Sequence, residues 1–367
     1  MTEDIKPFRI DIPQTDLDDL RDRLDRTRWP DQIPDSGWDY GVPVADVRRL
    51  AEYWRHEYDW RAWEAALNAY PQFITEIDGQ NIHFLHIRSP REDALPLMLT
   101  HGWPGSVVEY LRVIEPLTEP PAGEQAFHLV IPSLPGFGFS GPTRERGWSR
   151  YRTARAWAEL MRRLGYDRYG TGGNDGGSFV APEQGRIDPE HVVGVHVTQI
   201  FSFPSGDPAE FARVTPEEQR ALEVLQWFYD NKMSFNILHS QQPQTLSYAI
   251  TDSPVGLLGW HAQLLGDLDP DFVLSNVMLY WLTGTATSAT RIYYEDAKAD
   301  KPTEPTTVPI GLAMFKGDFV SMRTFAERDH KNIRSWHAYD EPAGHYAAHL
   351  APDVLVRDIR DFYSGLR

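Results

Sequence analysis

The sequence contains no cysteine among its 367 residues. A disulfide, a thiol nucleophile and a metal site with thiolate ligands are therefore excluded. Basic residues are also few: 36 lysines and arginines stand against 53 aspartates and glutamates, which gives a formal net charge of −17. Because a strongly acidic chain is repelled by phosphate backbones and by anionic lipid surfaces, we expect no nucleic-acid partner and no membrane partner. The favoured ligand is a small neutral molecule.

Long apolar stretches are missing as well. The chain opens on the polar residues MTED, and no segment approaches the roughly 20 apolar residues that cross a bilayer. We therefore expect a cytoplasmic protein. A length of 367 residues allows one large domain with an insertion, or two domains, and a substantial core in either arrangement. The oligomeric state stays open, with a homodimer as one option.

Short apolar strands alternate with amphipathic helices in the middle and at the end of the chain. A hairpin is predicted for residues 73–87, with Asp78 and Gly79 as its tight turn. This alternation indicates an α/β fold with a mainly parallel sheet covered by helices. Further strands are predicted at 95–100, 127–132, 169–171, 192–198, 307–315 and 333–339, and helices at 152–164, 176–186, 320–328 and 352–366.

Two segments depart from this alternation and define the expected organisation. Before residue 72, apolar residues recur at helical spacing in two regions, the second of which runs from 44 to 69. Between 201 and 301 the chain is rich in Trp, Leu and Tyr and predicts helices with few strands. We therefore divide the chain into an N-terminal helical extension (1–72), the first part of an α/β core (73–200), a helical cap (201–301) and the second part of the core (302–367).

Residues 170–180 read GTGGNDGGSFV and place one carboxylate, Asp175, among glycines. An α/β-hydrolase carries its nucleophile on a strained turn between a strand and a helix, where the flanking residues must be small. The run from Gly173 to Gly177 meets this requirement, with Asp where many such enzymes have Ser. Such a run is also typical of an ordinary loop, but the strand predicted before it and the helix after it favour Asp175 as a nucleophile.

A nucleophile on such a turn needs a histidine base and an acid that orients the base, in the chain order nucleophile, acid, histidine. Asp318 follows the predicted strand that ends at Phe315, and His345 lies between the last predicted strand and the closing helix. The carboxyl ends of parallel strands meet at one edge of a sheet, where sites form. A loop Asp is often only a turn former and a lone His is often only packed. The ordered set nevertheless predicts a hydrolytic triad.

Other residues of the right chemical type fit less well. Glu295 and Asp296 are alternative acids, but they fall in the predicted cap. A serine esterase would need Ser178 or Ser106 as its nucleophile, and neither occupies the centre of the glycine-rich turn. The carboxylate triad is therefore the preferred interpretation.

Five further motifs are distributed along the chain: HGWPGS at 101–106, PGFGFS at 135–140, DSPVGL at 252–257, YWLTG at 280–284 and GHYAA at 344–348. These motifs resemble those of the microsomal-type epoxide hydrolases of the α/β-hydrolase superfamily. The likeness extends over nearly the whole chain, including the N-terminal helices, and HGWPGS followed by GHYAA is its most specific part. Within this family we expect the bacterial branch that serves natural-product pathways such as those of enediyne antibiotics.

The resemblance implies an enzyme that uses no cofactor and no metal and that acts on a small-molecule epoxide with water. Asp175 would attack an epoxide carbon and form an alkyl-enzyme ester. His345, oriented by Asp318, would deprotonate a water that hydrolyses this ester and releases a vicinal diol. The backbone N–H groups of Trp103 and Gly176 would stabilise the oxyanion of the second step.

The family also uses two cap tyrosines whose hydroxyls donate to the epoxide oxygen. Tyr293, in the segment RIYYE, is the implied proton donor, and Tyr294 is the alternative. Ile237 occupies the position of the second tyrosine, so either the pair is incomplete or another group, such as Tyr248 or His239, replaces it. Ile237, Tyr248 and Tyr294 are therefore expected to border the substrate pocket.

Gly176 is a further departure from the family, because many relatives carry Trp directly after the nucleophile. A glycine at this position leaves room for a bulky epoxide, such as an aryl epoxide. A haloalkane dehalogenase would use the same triad but commonly needs that Trp to hold the halide, so Gly176 argues against this alternative. The other alternative is a ligand-binding homologue without activity. The intact triad argues against it, and the missing tyrosine keeps it open.

Overall fold

The computed structural model describes residues 4–366. A single mixed sheet lies at the centre of the described chain, with the strand order β1-β2-β3-β5-β4-β6-β7-β8-β9. The pairs from β5 through β9 are parallel, whereas β1, β2 and β3 join antiparallel at one edge. The α/β fold expected from the sequence is confirmed. The strands are β1 (Lys6–Phe8), β2 (Gln72–Ile77), β3 (Gln80–Ile87), β4 (Leu95–Thr100), β5 (Phe127–Pro132), β6 (Tyr169–Gly173), β7 (Val192–Val197), β8 (Ile310–Phe315) and β9 (Ile333–Tyr339).

Helices cover both the sheet and the edge at which the parallel strands end. Two short 3₁₀ turns, Val107–Tyr110 and Gly138–Ser140, follow β4 and β5. The helices are α1 (Gln14–Asp25), α2 (Val44–His56), α3 (Trp60–Asn68), α4 (Leu111–Thr118), α5 (Arg150–Arg163), α6 (Gly176–Ile187), α7 (Pro208–Phe211), α8 (Pro216–Lys232), α9 (Ser234–Gln241), α10 (Pro243–Asp252), α11 (Pro254–Leu265), α12 (Pro270–Leu282), α13 (Ala286–Lys298), α14 (Arg323–Asp329), α15 (Ala347–Leu350) and α16 (Pro352–Ser364).

The strands β4 and β5 have the bounds that the sequence predicts. Both are largely buried, and strands covered on both faces read as continuous apolar runs rather than as alternating patterns. The β2–β3 hairpin also follows the expectation, because Asp78 and Gly79 both have positive φ, 51° and 74°, as the tight turn of a hairpin requires. The edge strand β1, with the sequence KPF, was not anticipated.

The N-terminal helices pack on the cap rather than on the sheet. The Trp54 indole N–H points at Met278 Sδ at 3.2 Å, and the Tyr53 hydroxyl donates to Asp271 Oδ1 at 2.9 Å. The helical region expected at 44–69 is two helices, because α2 ends at His56 and Asp59 caps α3. The Asp59 carboxylate accepts the backbone N–H of α3 residues, a typical N-cap.

Helices α7 to α13 follow β7 and precede β8, and they lie over the carboxyl ends of the strands. The cap is fastened to the loop after β4: the Tyr280 hydroxyl donates to Gly105 O at 2.6 Å, and the Ser106 hydroxyl donates to Asn276 Oδ1 at 2.7 Å. A site at this edge of the sheet is therefore closed by the cap on one side. Among residues 4–366, no helix combines the length and the apolar character that crossing a bilayer demands.

Candidate active site

Asp175 lies on the sharp turn between β6 and α6. Its backbone has φ 52° and ψ −114°, a conformation that costs a non-glycine residue about 1–3 kcal/mol and that clusters at functional sites. The neighbouring glycines are sterically required: a Cβ on Gly177 would lie 1.8 Å from Thr100 O, and one on Gly102 would lie 2.0 Å from Asp175 Oδ1. The glycine-rich motif thus serves to aim one carboxylate out of the sheet.

The two oxygens of the Asp175 carboxylate are held differently. Oδ1 accepts the backbone N–H of Trp103 at 2.9 Å, and the Gly176 amide is a second backbone donor. Burial raises the pKa of Asp175, while the charge of His345 and these two amides act in the opposite direction. Oδ2 lies 3.6 Å from His345 Nε2 and is the oxygen available for attack. The Trp103–Pro104 peptide bond in the same loop is cis.

Asp318 and His345 lie beside Asp175 and form a carboxylate–histidine–carboxylate triad with it. His345 Nδ1 is 2.9 Å from Asp318 Oδ1, and the other carboxylate oxygen of Asp318 accepts from Gln199 Nε2. Burial alone would raise the pKa of Asp318, but the charge of His345 and the hydrogen bonds from His345 and Gln199 hold the pKa below its usual value. Asp318 is therefore a carboxylate that orients the imidazole and stabilises its charge.

The environment of His345 favours the imidazolium. Burial lowers the pKa of His345, but the negative charges of Asp318, Asp175 and Glu109 outweigh burial and raise the pKa to about 10. The side chain is 30% exposed and lines the open cleft in front of Asp175. The acidic neighbours therefore favour the charged form of His345, and the ring must lose a proton before it can accept one.

Two buried side chains near the triad, those of Gln199 and Glu109, are not marked by any motif in the sequence. Gln199 is 0% exposed and donates to Asp318. Glu109, in the turn after HGWPGS, is 1% exposed. Burial raises the pKa of Glu109 to about 8, although the charge of His345 and the amide of Asn174 act against it.

Tyr293 lies in the cleft where the sequence resemblance places a proton donor. Its ring centroid is 6.2 Å from that of Trp103 and 5.1 Å from that of His239. Burial and the negative charge of Asp175 raise the pKa of Tyr293 well above its ordinary value. The phenol therefore keeps its proton near the nucleophile.

The three residues expected to border the pocket lie elsewhere. Ile237 is 39% exposed, Tyr248 is 77% exposed and Tyr294 is 36% exposed, and the cleft is lined by Met233, Asn236 and Tyr293 in their place. On α9, the side chains that face the cleft recur at helical spacing, and Ile237 falls on the adjacent face of that helix. The expectation that these three residues contact substrate is therefore not supported by their positions.

His239 is the remaining candidate for the second donor. It is fully buried, and its Nε2 accepts the indole N–H of Trp260 at 2.9 Å. Burial lowers the pKa of His239 to about 3, so the ring is neutral. Because an indole nitrogen only donates, the proton of His239 must be on Nδ1. Nδ1 has no partner among residues 4–366.

The other candidates from the sequence are engaged in structural contacts. Asp296 accepts the backbone N–H and the guanidinium of Arg150, and Glu295 accepts the backbone N–H of Gly147. Neither contact reaches His345. The Ser178 hydroxyl lies within hydrogen-bond distance of both Gly173 O and Gln199 Oε1, so it is engaged in structural contacts.

A cleft of about 1790 Å³ opens from Asp175 under the cap. Its wall next to the triad is a stack of phenylalanines: Phe179 and Phe201 have ring centroids 4.3 Å apart, and Phe319 lies 5.0 Å from Phe201. Ligand pockets commonly measure about 300–1,000 Å³ and have apolar walls with a few polar groups. The volume of this cleft exceeds that range, and its phenylalanine wall has the apolar character of such pockets.

Comparisons with known proteins agree with this architecture. Residues 5–110 match the family model described as "Epoxide hydrolase N terminus", and residues 96–253 match the model "alpha/beta hydrolase fold". A Stigmatella aurantiaca (strain DW4/3-1) protein, named as a candidate epoxide hydrolase, is 41% identical over 99% of this chain and 86% of its own. Epoxide hydrolase 1 of Sus scrofa is 31% identical over 98% of this chain and 88% of its own.

The likeness extends to solved structures. The crystal structure of juvenile hormone epoxide hydrolase from the silkworm Bombyx mori superposes with a TM-score of 0.90 at 27% sequence identity, covering 99% of this chain and 95% of that chain. The sequence relatives and this structure both span almost the full described length. The chain therefore belongs to the microsomal-type epoxide hydrolase family of the α/β-hydrolase superfamily.

Proposed function

We propose that this protein is an epoxide hydrolase that converts a bulky small-molecule epoxide into a vicinal diol through an ester on Asp175. The observation that carries the proposal is the division of labour in the Asp175 carboxylate. Oδ1 is held by the backbone N–H of Trp103, while Oδ2 faces His345 Nε2 at 3.6 Å. A carboxylate arranged in this way can attack with one oxygen and receive oxyanion charge on the other.

In the first step, Asp175 Oδ2 attacks an epoxide carbon and the ring C–O bond breaks. The oxygen that leaves the carbon takes the proton of the Tyr293 hydroxyl, so the alkyl-enzyme ester carries a free alcohol. The raised pKa of Tyr293 keeps the phenol protonated until this moment, and the transfer avoids a free alkoxide in an apolar site.

In the second step, His345 removes a proton from water and the resulting hydroxide attacks the ester carbonyl carbon. Negative charge then develops on Oδ1, against the backbone N–H groups of Trp103 and Gly176. The intermediate collapses by breaking the bond between the carbonyl carbon and the ester oxygen, and the departing oxygen takes the remaining proton of the hydroxide that attacked. The diol leaves with its second hydroxyl, and Asp175 is again a carboxylate.

The proton count closes if the resting enzyme carries the imidazolium that the acidic neighbours of His345 favour. Ester formation removes the negative charge of Asp175, one of the charges that raise the pKa of His345. His345 can then return its proton to the Tyr293 phenolate and become the base for the second step. The proton that it takes from water restores the resting state.

The size of the cleft supports a bulky substrate. About 1790 Å³ of space and a wall that includes Phe179, Phe201 and Phe319 suit a large apolar or aryl epoxide. Gly176 contributes to this space, because no side chain projects from the residue that follows the nucleophile.

The proposal is tested against haloalkane dehalogenation, which would use the same triad. A phenol donor favours an oxygen leaving group, and Gly176 offers no indole to hold a halide. The purified protein is incubated with styrene oxide, with a larger aryl epoxide and with a series of 1-chloroalkanes. We expect diol from the epoxides and no chloride release, whereas chloride release without diol would refute the proposal.

The biological setting stays a prediction from the sequence. A role in bacterial antibiotic biosynthesis is supported only by the motif resemblance, and a cytoplasmic location only by the polar character of the chain. Deletion of the encoding sequence followed by metabolite profiling tests the first, because loss of the pathway would leave an epoxide intermediate in place of its diol. Cell fractionation tests the second.

A further inference from the structure

The amide of Gln199 joins the nucleophile to the acid. Its Oε1 accepts the backbone N–H of Asp175 at 2.9 Å and the hydroxyl of Ser178 at 2.8 Å. Its Nε2 donates to Asn174 Oδ1 at 2.6 Å and to the second carboxylate oxygen of Asp318. Both ends of one fully buried side chain are thus hydrogen-bonded to groups that carry or orient the chemistry.

The network fixes which end of the amide is oxygen and which is nitrogen. A reversed amide would place an NH₂ group against the N–H of Asp175, which can only donate, and an oxygen against the carboxylate of Asp318, which can only accept. Asn174 is fixed in the same way, because its Oδ1 accepts from Gln199 and from the Thr198 hydroxyl at 2.9 Å. These contacts fix the orientation of both amides.

The sheet order explains why Gln199 can make these contacts. Asp175 follows β6, Gln199 follows β7 and Asp318 follows β8, and these strands are neighbours in the sheet. The acid and the nucleophile are two strands apart, and the strand between them supplies the link. Asp175 also has a strained backbone, and a bond to its N–H holds the turn in that conformation.

We propose that Gln199 is a positioning residue that locks the nucleophile turn to the acid, so that Asp175 and His345 face each other in both half-reactions. The inference rests on the proposed epoxide hydrolysis and extends it to a residue that touches no reacting atom. Gln199 acts through Asp175, whose backbone N–H it holds. It also acts through Asp318, whose free oxygen it restrains while the other oxygen faces His345.

The Nε2 donor also affects the charge of the acid. The hydrogen bond from Gln199 is one of the interactions that lower the pKa of Asp318, after the charge of His345 and the hydrogen bond from it. The other charged groups near Asp318 are Asp175 and Glu109. Without the Gln199 donor, Asp318 should protonate at a higher pH, and the acidic limb of the rate profile should move upward.

The test uses two substitutions of similar size. Gln199→Met has neither donor nor acceptor, and Gln199→Glu keeps an oxygen for the Asp175 N–H but replaces the amide donor with a second carboxyl, which disfavours the charge of Asp318. Gln184→Met is the matched control: Gln184 is also 0% exposed and is hydrogen-bonded to Thr171 and Tyr169 away from the triad. Ester formation and ester hydrolysis are measured separately, with styrene oxide in single turnover across pH.

We expect both Gln199 variants to slow ester hydrolysis by at least about tenfold. We also expect the acidic limb of the rate profile to move to higher pH, where a tenfold change in the protonation equilibrium of Asp318 corresponds to one pKa unit. Gln184→Met should leave both unchanged. Hydrolysis within about threefold of wild type and an unmoved acidic limb in a folded Gln199→Glu protein would overturn the inference. Should Gln199→Met fail to fold, Gln199→Glu decides alone, because it is isosteric. Absence of diol from the wild-type enzyme would instead refute the proposed function.

Discussion

His345 Nε2 lies 3.6 Å from Asp175 Oδ2, the carboxylate oxygen that the Trp103 backbone amide leaves free. One histidine therefore faces the oxygen that would form the ester bond and, after the bond has formed, the carbonyl that water must attack. The strained turn, the glycines around it and the bridge through Gln199 all serve to keep this pair in place.

The backbone strain at Asp175 can be measured by relieving it. Asp175→Gly should raise the free energy of unfolding by about 1–3 kcal/mol, the usual cost of a non-glycine residue in such a conformation, and should abolish diol formation. Asp175→Asn is the matched control, because it removes the nucleophile but keeps a Cβ at φ 52°. Denaturant unfolding of the three proteins gives the comparison. A glycine variant no more stable than the asparagine variant would mean that the turn is not strained.

Removal of the base should separate the two chemical steps. His345→Gln is expected to form the ester and then stop, because no group remains to deprotonate the water. Intact-protein mass spectrometry should show an adduct of one substrate mass after mixing with styrene oxide. The control His191→Gln, at an exposed histidine, should leave turnover unchanged. Steady diol production by His345→Gln at the wild-type rate would show that another group is the base.

Loss of the phenol proton should slow ring opening in particular. Tyr293→Phe keeps the ring that packs against Trp103 and His239 but cannot protonate the leaving oxygen. We expect ester formation to slow by about 100-fold or more, in the range typical of a general acid. Tyr294→Phe, at a residue 36% exposed, should have little effect. Equal losses in the two variants would remove the assignment of Tyr293 as donor.

A residual activity in Tyr293→Phe would point to the second donor. His239→Phe removes the Nδ1–H while keeping an aromatic ring of comparable size beside Trp103 and Trp260. If His239 replaces the missing tyrosine, this change slows ester formation without slowing ester hydrolysis. A variant in which neither rate changes would show that the donor pair is incomplete in this enzyme.

Glu109 should make stability depend on pH in a defined window. Its folded-state pKa of about 8 lies above the ordinary value of 4.5, so folding favours the protonated carboxyl. This contribution is fully present below pH 4.5 and is lost as the pH rises to about 8, at about 1.4 kcal/mol for each pH unit within that window. Glu109→Gln cannot titrate, so its Tm relative to wild type should increase across that window and then level off.

Thermal unfolding of both proteins between pH 4 and pH 9 measures this difference. Glu92→Gln, at an exposed position, is the control and should follow the wild type throughout. A constant difference between Glu109→Gln and wild type would mean that Glu109 is already ionised in the folded protein at low pH.

The triad could be predicted because each member directly follows a predicted strand and the order along the chain is informative. Asp175 stands among glycines that only a close backbone approach requires, and His345 lies in a short loop before the closing helix. These are local features of the sequence. The parallel strands then bring their ends to one edge, which turns three distant positions into one site.

Gln199 and Glu109 could not be found in the same way. The contacts of Gln199 depend on β7 lying between β6 and β8, and the order of strands in a sheet is not written along the chain. Glu109 looks like an ordinary acidic residue at a helix start, a position where carboxylates are common. In the fold its carboxyl lies close to Gly105, a contact that the sequence does not reveal.

Ile237 shows a different limit of predicting site residues from the sequence. Alignment by spacing places it at the expected tyrosine position, but the face that a helical residue presents changes by about 100° at each step. Asn236 and Ser240 line the cleft, and Ile237 therefore points away from it. The break within the helical region expected at 44–69 was not anticipated either, because Asp59 reads as one polar residue in a helical pattern and acts as a cap.

The ester on Asp175 is the central claim, and isotope transfer in a single turnover tests it most directly. Unlabelled enzyme in excess over styrene oxide is mixed in H₂¹⁸O, and the diol of the first turnover is analysed by mass spectrometry. The new hydroxyl should carry unlabelled oxygen from Asp175, with the ¹⁸O incorporated into the carboxylate by hydrolysis of the ester. A first-turnover diol that carries ¹⁸O from the solvent would show that water attacks the epoxide directly and would contradict the ester mechanism.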